Sequence, residues 1–229
     1  VSERPVELHE LFDPDDTRDR WVFMLAAVVA DLATMETTFK SALHGEGSHP
    51  AHRFYLQRQL SARIVEADRV VLAIPSNRPI EKFIDRIRAR SEADWLIARY
   101  TKGETDESEI DRALRSGRHR AVHHARLNGE DLRATLELAR DEAVVVERDE
   151  AQRREIFEFP EAVLTRFVFA GEDGNLDEKV MRERAALCDE VLKHFGALWL
   201  IVWPAHVRGK GVDPRRLYRI ARDEGDQGT

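Results

Sequence analysis

Cysteine occurs once in this sequence, at position 188, so no intramolecular disulfide can form and the usage fits a reducing compartment. Cys188 falls within an apolar helical pattern, where a buried thiol is a plainer reading than a nucleophile. Glycine and proline number 12 and 8 in 229 residues and aromatics only 7%, which leaves too few turn signals for an all-β sandwich. The most apolar stretch, Phe195 to Trp203, falls well short of the roughly 20 residues that span a bilayer. The N-terminal Val1-Ser2-Glu3-Arg4-Pro5 is polar and leads to an acidic run from Asp13 to Asp16, so no signal peptide is expected. A cytoplasmic protein without a membrane partner is the resulting expectation. Excess positive charge is lacking too: the net charge of −7 argues against coating nucleic acid by bulk attraction, while leaving room for a local basic site.

What the chain does have is helix-forming material. Its 42% hydrophobic and 34% charged residues describe a globular protein with a heavily charged surface, long enough to bury a core without disulfides or a structural metal. Alanine, leucine, glutamate and arginine dominate, all good helix formers. Trp21, Leu25, Val28, Leu32, Met35, Phe39 and Leu43 recur at spacings of three and four, which predicts a long amphipathic helix. Asp16 or Thr17 would cap it, and the glycines at 45 and 47 would end it. Leu56, Leu60, Ile64, Ala67, Val71 and Ile74 predict a second helix from Pro50 to Ile74, broken by Pro75 to Pro79. Two such helices joined by a short loop pack antiparallel most simply.

Further along, Phe83, Ile84 and Ile87 give a short helical pattern, and Trp95, Leu96 and Ile97 continue it or begin another. A helix resumes near Ser108, and one from Leu132 to Val146 follows the Asn128-Gly129 turn. Phe157 to Phe169 holds the one strand expected, interrupted by Pro160. Val180, Leu187, Val191, Phe195, Leu198 and Val202 mark the last long helix, with Pro204 as its end. The expected fold is therefore all-α: an antiparallel helical bundle with a partly irregular C-terminal third. A single domain would span 1–205, and 206–229 would be a partly ordered charged tail.

One segment carries chemistry. Arg118, His119, Arg120, His123 and His124 fall within seven residues. On a helix His119 and His123 share one face, and Arg120 joins the adjoining one. Histidine can act as base or acid near neutrality, while arginine stays charged and can hold two phosphate oxygens. That combination suits RNA cleavage, in which the 2′-hydroxyl loses a proton as negative charge builds at phosphorus, and it needs neither metal nor cofactor.

Arg118-His119-Arg120-Ala121-Val122-His123 resembles the Arg-x4-6-His motif of the HEPN (higher eukaryotes and prokaryotes nucleotide-binding) superfamily, over roughly residues 17–146. Those proteins are small helical bundles, many of them metal-independent RNases of toxin, defence or RNA-processing systems. The resemblance implies Arg118 as the phosphate-stabilising arginine and His123 as the catalytic histidine, with His124 the alternative under a longer spacing. It also implies RNA as substrate, a homodimer, and an antitoxin or other protein partner. A polar residue, often asparagine, commonly follows the arginine; here His119 stands there.

Plainer readings exist beside it. The segment could be a solvated helix face whose histidines pair with Glu107, Glu109 or Asp111. His119 and His123 have a spacing that suits one metal, with His49 and His52 available to complete the set, yet no metal motif is matched. Trp199 and Trp203 read more simply as core than as a partner surface. The alternative function is a non-catalytic helical interaction module.

Overall fold

The structure is a computed structural model that describes residues 6–44, 50–103, 107–114, 146–149, 154–157, 178–214 and 217. The fold is all-α. Among the described residues its helices are α1 (Leu8–Leu11), α2 (Thr17–His44), α3 (Pro50–Glu66), α4 (Asp68–Ser76), α5 (Arg78–Arg86), α6 (Arg90–Tyr100) and α7 (Glu178–Gly209), with further helical residues at 109–114 and at 214 and 217. Val146–Asp149 (β1) and Arg154–Phe157 (β2) form a small antiparallel pair in which Val146 faces Phe157. The chain divides into two compact units. One takes Val1–Ala30, Asp68–Ala98 and Lys193–Thr229; the other takes Asp31–Ala67 and Arg99–Leu192.

The first long helix begins where its sequence says it should. Asp16 Oδ1 accepts the backbone N–H groups of Arg18 at 2.8 Å and Asp19 at 3.0 Å, which satisfies two of the donors that a helix start leaves open. Trp21, Val22, Leu25 and Leu32 are buried, whereas Val28, Met35 and Phe39 of the expected stripe are only half-buried. By length and composition alone α2 could cross a membrane, because the 26 residues from Thr17 to Ala42 contain an 18-residue window of mean hydropathy 1.5. The sequence reading placed the most apolar stretch elsewhere and is corrected here, because α2 spreads its alanines and valines over several faces.

All six residues of the second expected stripe are buried, but Leu56, Leu60 and Ile64 belong to α3, Val71 and Ile74 to α4, and Ala67 stands between them. The N–H of Ala67 is shared between the carbonyls of Arg63 and Ile64, both at 3.2 Å, and α4 starts afresh at Asp68. No glycine or proline marks this break, and it coincides with the boundary between the two units. Pro75 lies inside α4 rather than ending it. α4 packs directly on α5, burying Val70, Val71 and Ile74 from one and Ile80, Phe83 and Ile84 from the other.

In the unit holding α4 and α5, the Trp21 indole N–H donates to the Val70 carbonyl at 2.9 Å. In the other unit the Tyr100 hydroxyl donates to the Ile64 carbonyl at 2.6 Å. Each fixes a large buried ring against a helix backbone, and leaving either polar tip unpaired in the core would cost about 1–3 kcal/mol.

Two helices end with the same device. After α5 the N–H of Arg88 meets the Asp85 carbonyl and that of Ala89 meets the Ile84 carbonyl, both at 3.1 Å. After α7, Gly211 meets Arg208 at 2.9 Å and Val212 meets Val207 at 3.2 Å. These are Schellman turns, which need one residue in the left-handed region. Gly211 supplies it at φ 75° and Arg88 at φ 58°.

Two expectations are corrected by the chain itself, and a third lies largely outside the described residues. Pro204 does not end α7, which continues to Gly209. The lost backbone donor and the ring's demand on the Leu200 carbonyl are outweighed by burial of Val202, His206 and Val207, while Leu200 is 73% exposed. Val146, expected to close a helix, opens β1, in keeping with the β-branched run at 144–146. The strand expected between 157 and 169 is described only at its first residue, the end of β2.

Candidate functional site

Arg118, His119, Arg120, His123 and His124 lie outside the described residues, as does His49; of His52 only the helical backbone is described. What is described is the approach to that segment. Ser108 is buried, and its Oγ accepts the N–H of Asp111 at 3.0 Å. It therefore caps the helical stretch at 109–114, whose apolar Ile110 and Leu114 are both 1% exposed. Of the carboxylates offered to the histidines in the plainer reading, Glu109 lies 3.9 Å from the Arg99 guanidinium. A cavity of about 410 Å³ opens beside this stretch, lined by Glu109 and Ala113 together with Glu183, Arg184, Leu187 and Glu190 of α7. Burial pulls the Arg184 guanidinium below its ordinary pKa.

Cys188, one turn further along α7, is buried. Burial pushes its thiol up to about 11 despite a hydrogen bond from Ser61. A thiol held so far from ionisation is structural.

The other unit contains a buried charged cluster that sequence reasoning did not find. Asp19 is fully buried. Its Oδ2 accepts the Asp13 N–H at 2.9 Å and binds Lys210 Nζ, and its Oδ1 accepts from Arg18 at 3.2 Å. Burial opposes ionisation, but Lys210, the Asp13 amide and Arg18 prevail and hold the carboxyl below its usual range. His206, 2% exposed, lies with Nδ1 3.8 Å from Asp19 and donates from Nε2 to the Leu11 carbonyl at 2.9 Å. Burial lowers its pKa; the Leu11 carbonyl and Asp19 oppose this without reversing it. The neutral imidazole that results has its proton on Nε2, and Nδ1 is a buried atom without a hydrogen bond among the described residues.

The ring of Phe12 stacks on His206 at a centroid distance of 5.1 Å. It also lies against Trp203 at 6.3 Å, and Trp203 stacks on Trp199 at 5.2 Å. Outside this ladder a groove of about 760 Å³ runs along α1 and the start of α2, floored by Leu8, Phe12, Phe23 and Met24. Leu8 is 65% exposed and Phe23 51%. A second imidazole is fixed nearby in the chain: His194 Nδ1 lies 2.5 Å from Glu92 Oε2 with its ring stacked 3.8 Å from Trp95. A carboxylate orients that imidazole and ties α6 to α7.

Chemically, the Asp19 cluster is a clasp. Its charged groups bind the backbone and one another. Its sequence signal was thin: His206 and Lys210 are four apart, but Asp19 lies nearly two hundred residues away. Among the described residues, no group of three or more histidine, cysteine, aspartate or glutamate side chains comes together to hold a metal. No family model, curated protein or solved structure matches this chain.

Proposed function

We propose that this chain is a HEPN-like, metal-independent endoribonuclease acting through Arg118 and His123. The observation that carries this reading is the sequence constellation from Arg118 to His124. The all-α fold and the capped helical stretch at 109–114, which leads toward it in the chain, support it. In this proposal His123 takes the proton from the ribose 2′-hydroxyl as the oxygen attacks phosphorus. Arg118 binds the phosphate oxygens, whose charge grows in the transition state. The 5′-oxygen of the next nucleotide leaves and is protonated, so the products are a 2′,3′-cyclic phosphate and a 5′-hydroxyl. His119, Arg120 and His124 position the substrate. Action as a homodimer in the cytoplasm, with an antitoxin or other protein partner, belongs to the same proposal. Purified protein incubated with RNA in excess EDTA should yield fragments that end in cyclic phosphate. Cleavage abolished by EDTA, or products ending in 3′-hydroxyl, would contradict it.

A second reading, a non-catalytic helical interaction module, is favoured by the groove along α1. Exposed Leu8, Phe23 and Met24 present apolar surface of the kind that partners cover. This reading expects Phe23→Asp to break a complex while Arg118→Ala leaves it intact.

A further inference from the structure

Helix α5 sorts its residues into three stripes. Ile80, Phe83 and Ile84 are buried. At about 100° per residue, Arg78, Lys82 and Arg86 lie within an arc of roughly 80° nearly opposite them, and all three are exposed. The acids of the helix stand on the third side, and both are engaged: Arg90 reaches Glu81 and Asp85, each at 3.5 Å. It also binds Asp94 at 2.9 Å. The neighbouring carboxylates are thus held away from the basic stripe. Among the described residues none of Arg78, Lys82, Arg86 or Arg88 forms a side-chain ion pair or hydrogen bond.

Two features of this stripe work against stability. Cations at i and i+4 repel one another on a helix. Arg88 occupies the left-handed position of a Schellman turn at φ 58°, where the same turn after α7 uses glycine. A strained arginine at the end of a basic row points to a role for its side chain.

We propose that Arg78, Lys82, Arg86 and Arg88 form a surface that binds the phosphate backbone of a nucleic acid. Successive cations of the row rise about 6 Å along the helix and span about 12 Å, a length past which three or four phosphates of one strand run at roughly 3.4 Å each. Three of the four are arginines, which hold phosphate oxygens two at a time. A membrane fits less well, because a helix lying on lipid inserts an apolar face and that of α5 is buried in protein. The four residues are other than those of the Arg118 segment, and binding through them does not require that cleavage occur.

The test uses the full chain carrying Arg118→Ala and His123→Ala, so that no cleavage confounds binding. Fluorescence anisotropy with a labelled 20-nucleotide oligouridylate is followed from 50 to 300 mM salt. Replacing Arg78, Lys82 and Arg86 with glutamine should weaken binding at least tenfold and flatten the log K against log salt slope by about 2, at roughly 0.7 for each single-strand phosphate no longer neutralised. Arg88→Gly should flatten it by about 0.7 while raising the melting temperature, a pair of opposite signs that unfolding cannot produce. Vesicles of phosphatidylcholine with one-third phosphatidylserine form the second arm. An unchanged slope in both variants would overturn the proposal, as would absence of binding at 50 mM salt. Loss of vesicle binding alone would assign the stripe to lipid and overturn it as well.

Discussion

His206 Nε2 donates to the carbonyl oxygen of Leu11 at 2.9 Å, joining the last turn of α7 to the end of α1. Both groups are buried, and Asp19, Lys210 and Phe12 close around the imidazole. A packed, neutral histidine at such a junction makes the unit's stability depend on pH.

The sign follows from the direction of the shift. The ordinary histidine value is 6.5, and burial places His206 below it in the folded protein. Between those two values the unfolded chain binds the proton and the folded one does not, so stability falls as the medium is acidified. His206 contributes fully above about 6.5, and its contribution is lost downward from there. Thermal melts between pH 7.5 and 5.5 should show a declining midpoint. His206→Gln should melt lower at neutral pH and lose most of that decline.

Asp19 acts in a lower window. Its carboxyl is held below the ordinary 3.8, so its contribution is present above that value and is lost as pH falls through the folded value. Asp19→Asn keeps the shape but leaves Lys210, 21% exposed, facing a neutral amide. A loss of about 2–4 kcal/mol is expected, below that of a fully buried broken pair because Lys210 reaches water. Urea denaturation at pH 7 measures it, and a change under 0.5 kcal/mol would show that the clasp is not stabilising.

The paired helix ends give opposite expectations. Arg88→Gly relieves a non-glycine residue at φ 58° and should stabilise by about 1 kcal/mol. Gly211→Ala, at φ 75°, should destabilise by about 1 kcal/mol. No side-chain clash adds to that, since a Cβ there meets nothing within 4 Å. The same melts read both.

Cys188 should resist modification. With its thiol near 11 and little thiolate at pH 8, Ellman's reagent should label it only after denaturant is added. Rapid labelling of the native protein would contradict its burial.

The start of helix α2 was legible to within a residue, because Asp16 and Thr17 are both capping residues and the apolar spacing after them is regular. The buried faces of α3 and α4 were legible too, but not the break at Ala67, which depends on one shared hydrogen bond and no special residue. The reach of α7 beyond Pro204 was hidden for another reason: local rules weigh the proline, and only tertiary burial of His206 and Val207 outweighs it. The Asp19 clasp was invisible since its members meet only in the fold. The stripe on α5 was in the sequence as three cations spaced by four, but its isolation from the acids depends on Arg90 folding back onto Glu81 and Asp85. The Arg118 segment was read from composition and spacing, and it lies outside the described residues.

In the proposed function Arg118 and His123 cleave RNA without a metal. The direct measurement compares initial cleavage rates of one labelled RNA in excess EDTA for the native chain, Arg118→Ala and His123→Ala, with circular dichroism confirming equal helix content. Cleavage by the native chain is expected, with a loss of at least about 100-fold in each variant, the scale of a general base or an electrostatic stabiliser. Equal rates in all three proteins, or no cleavage by the native chain, would contradict it.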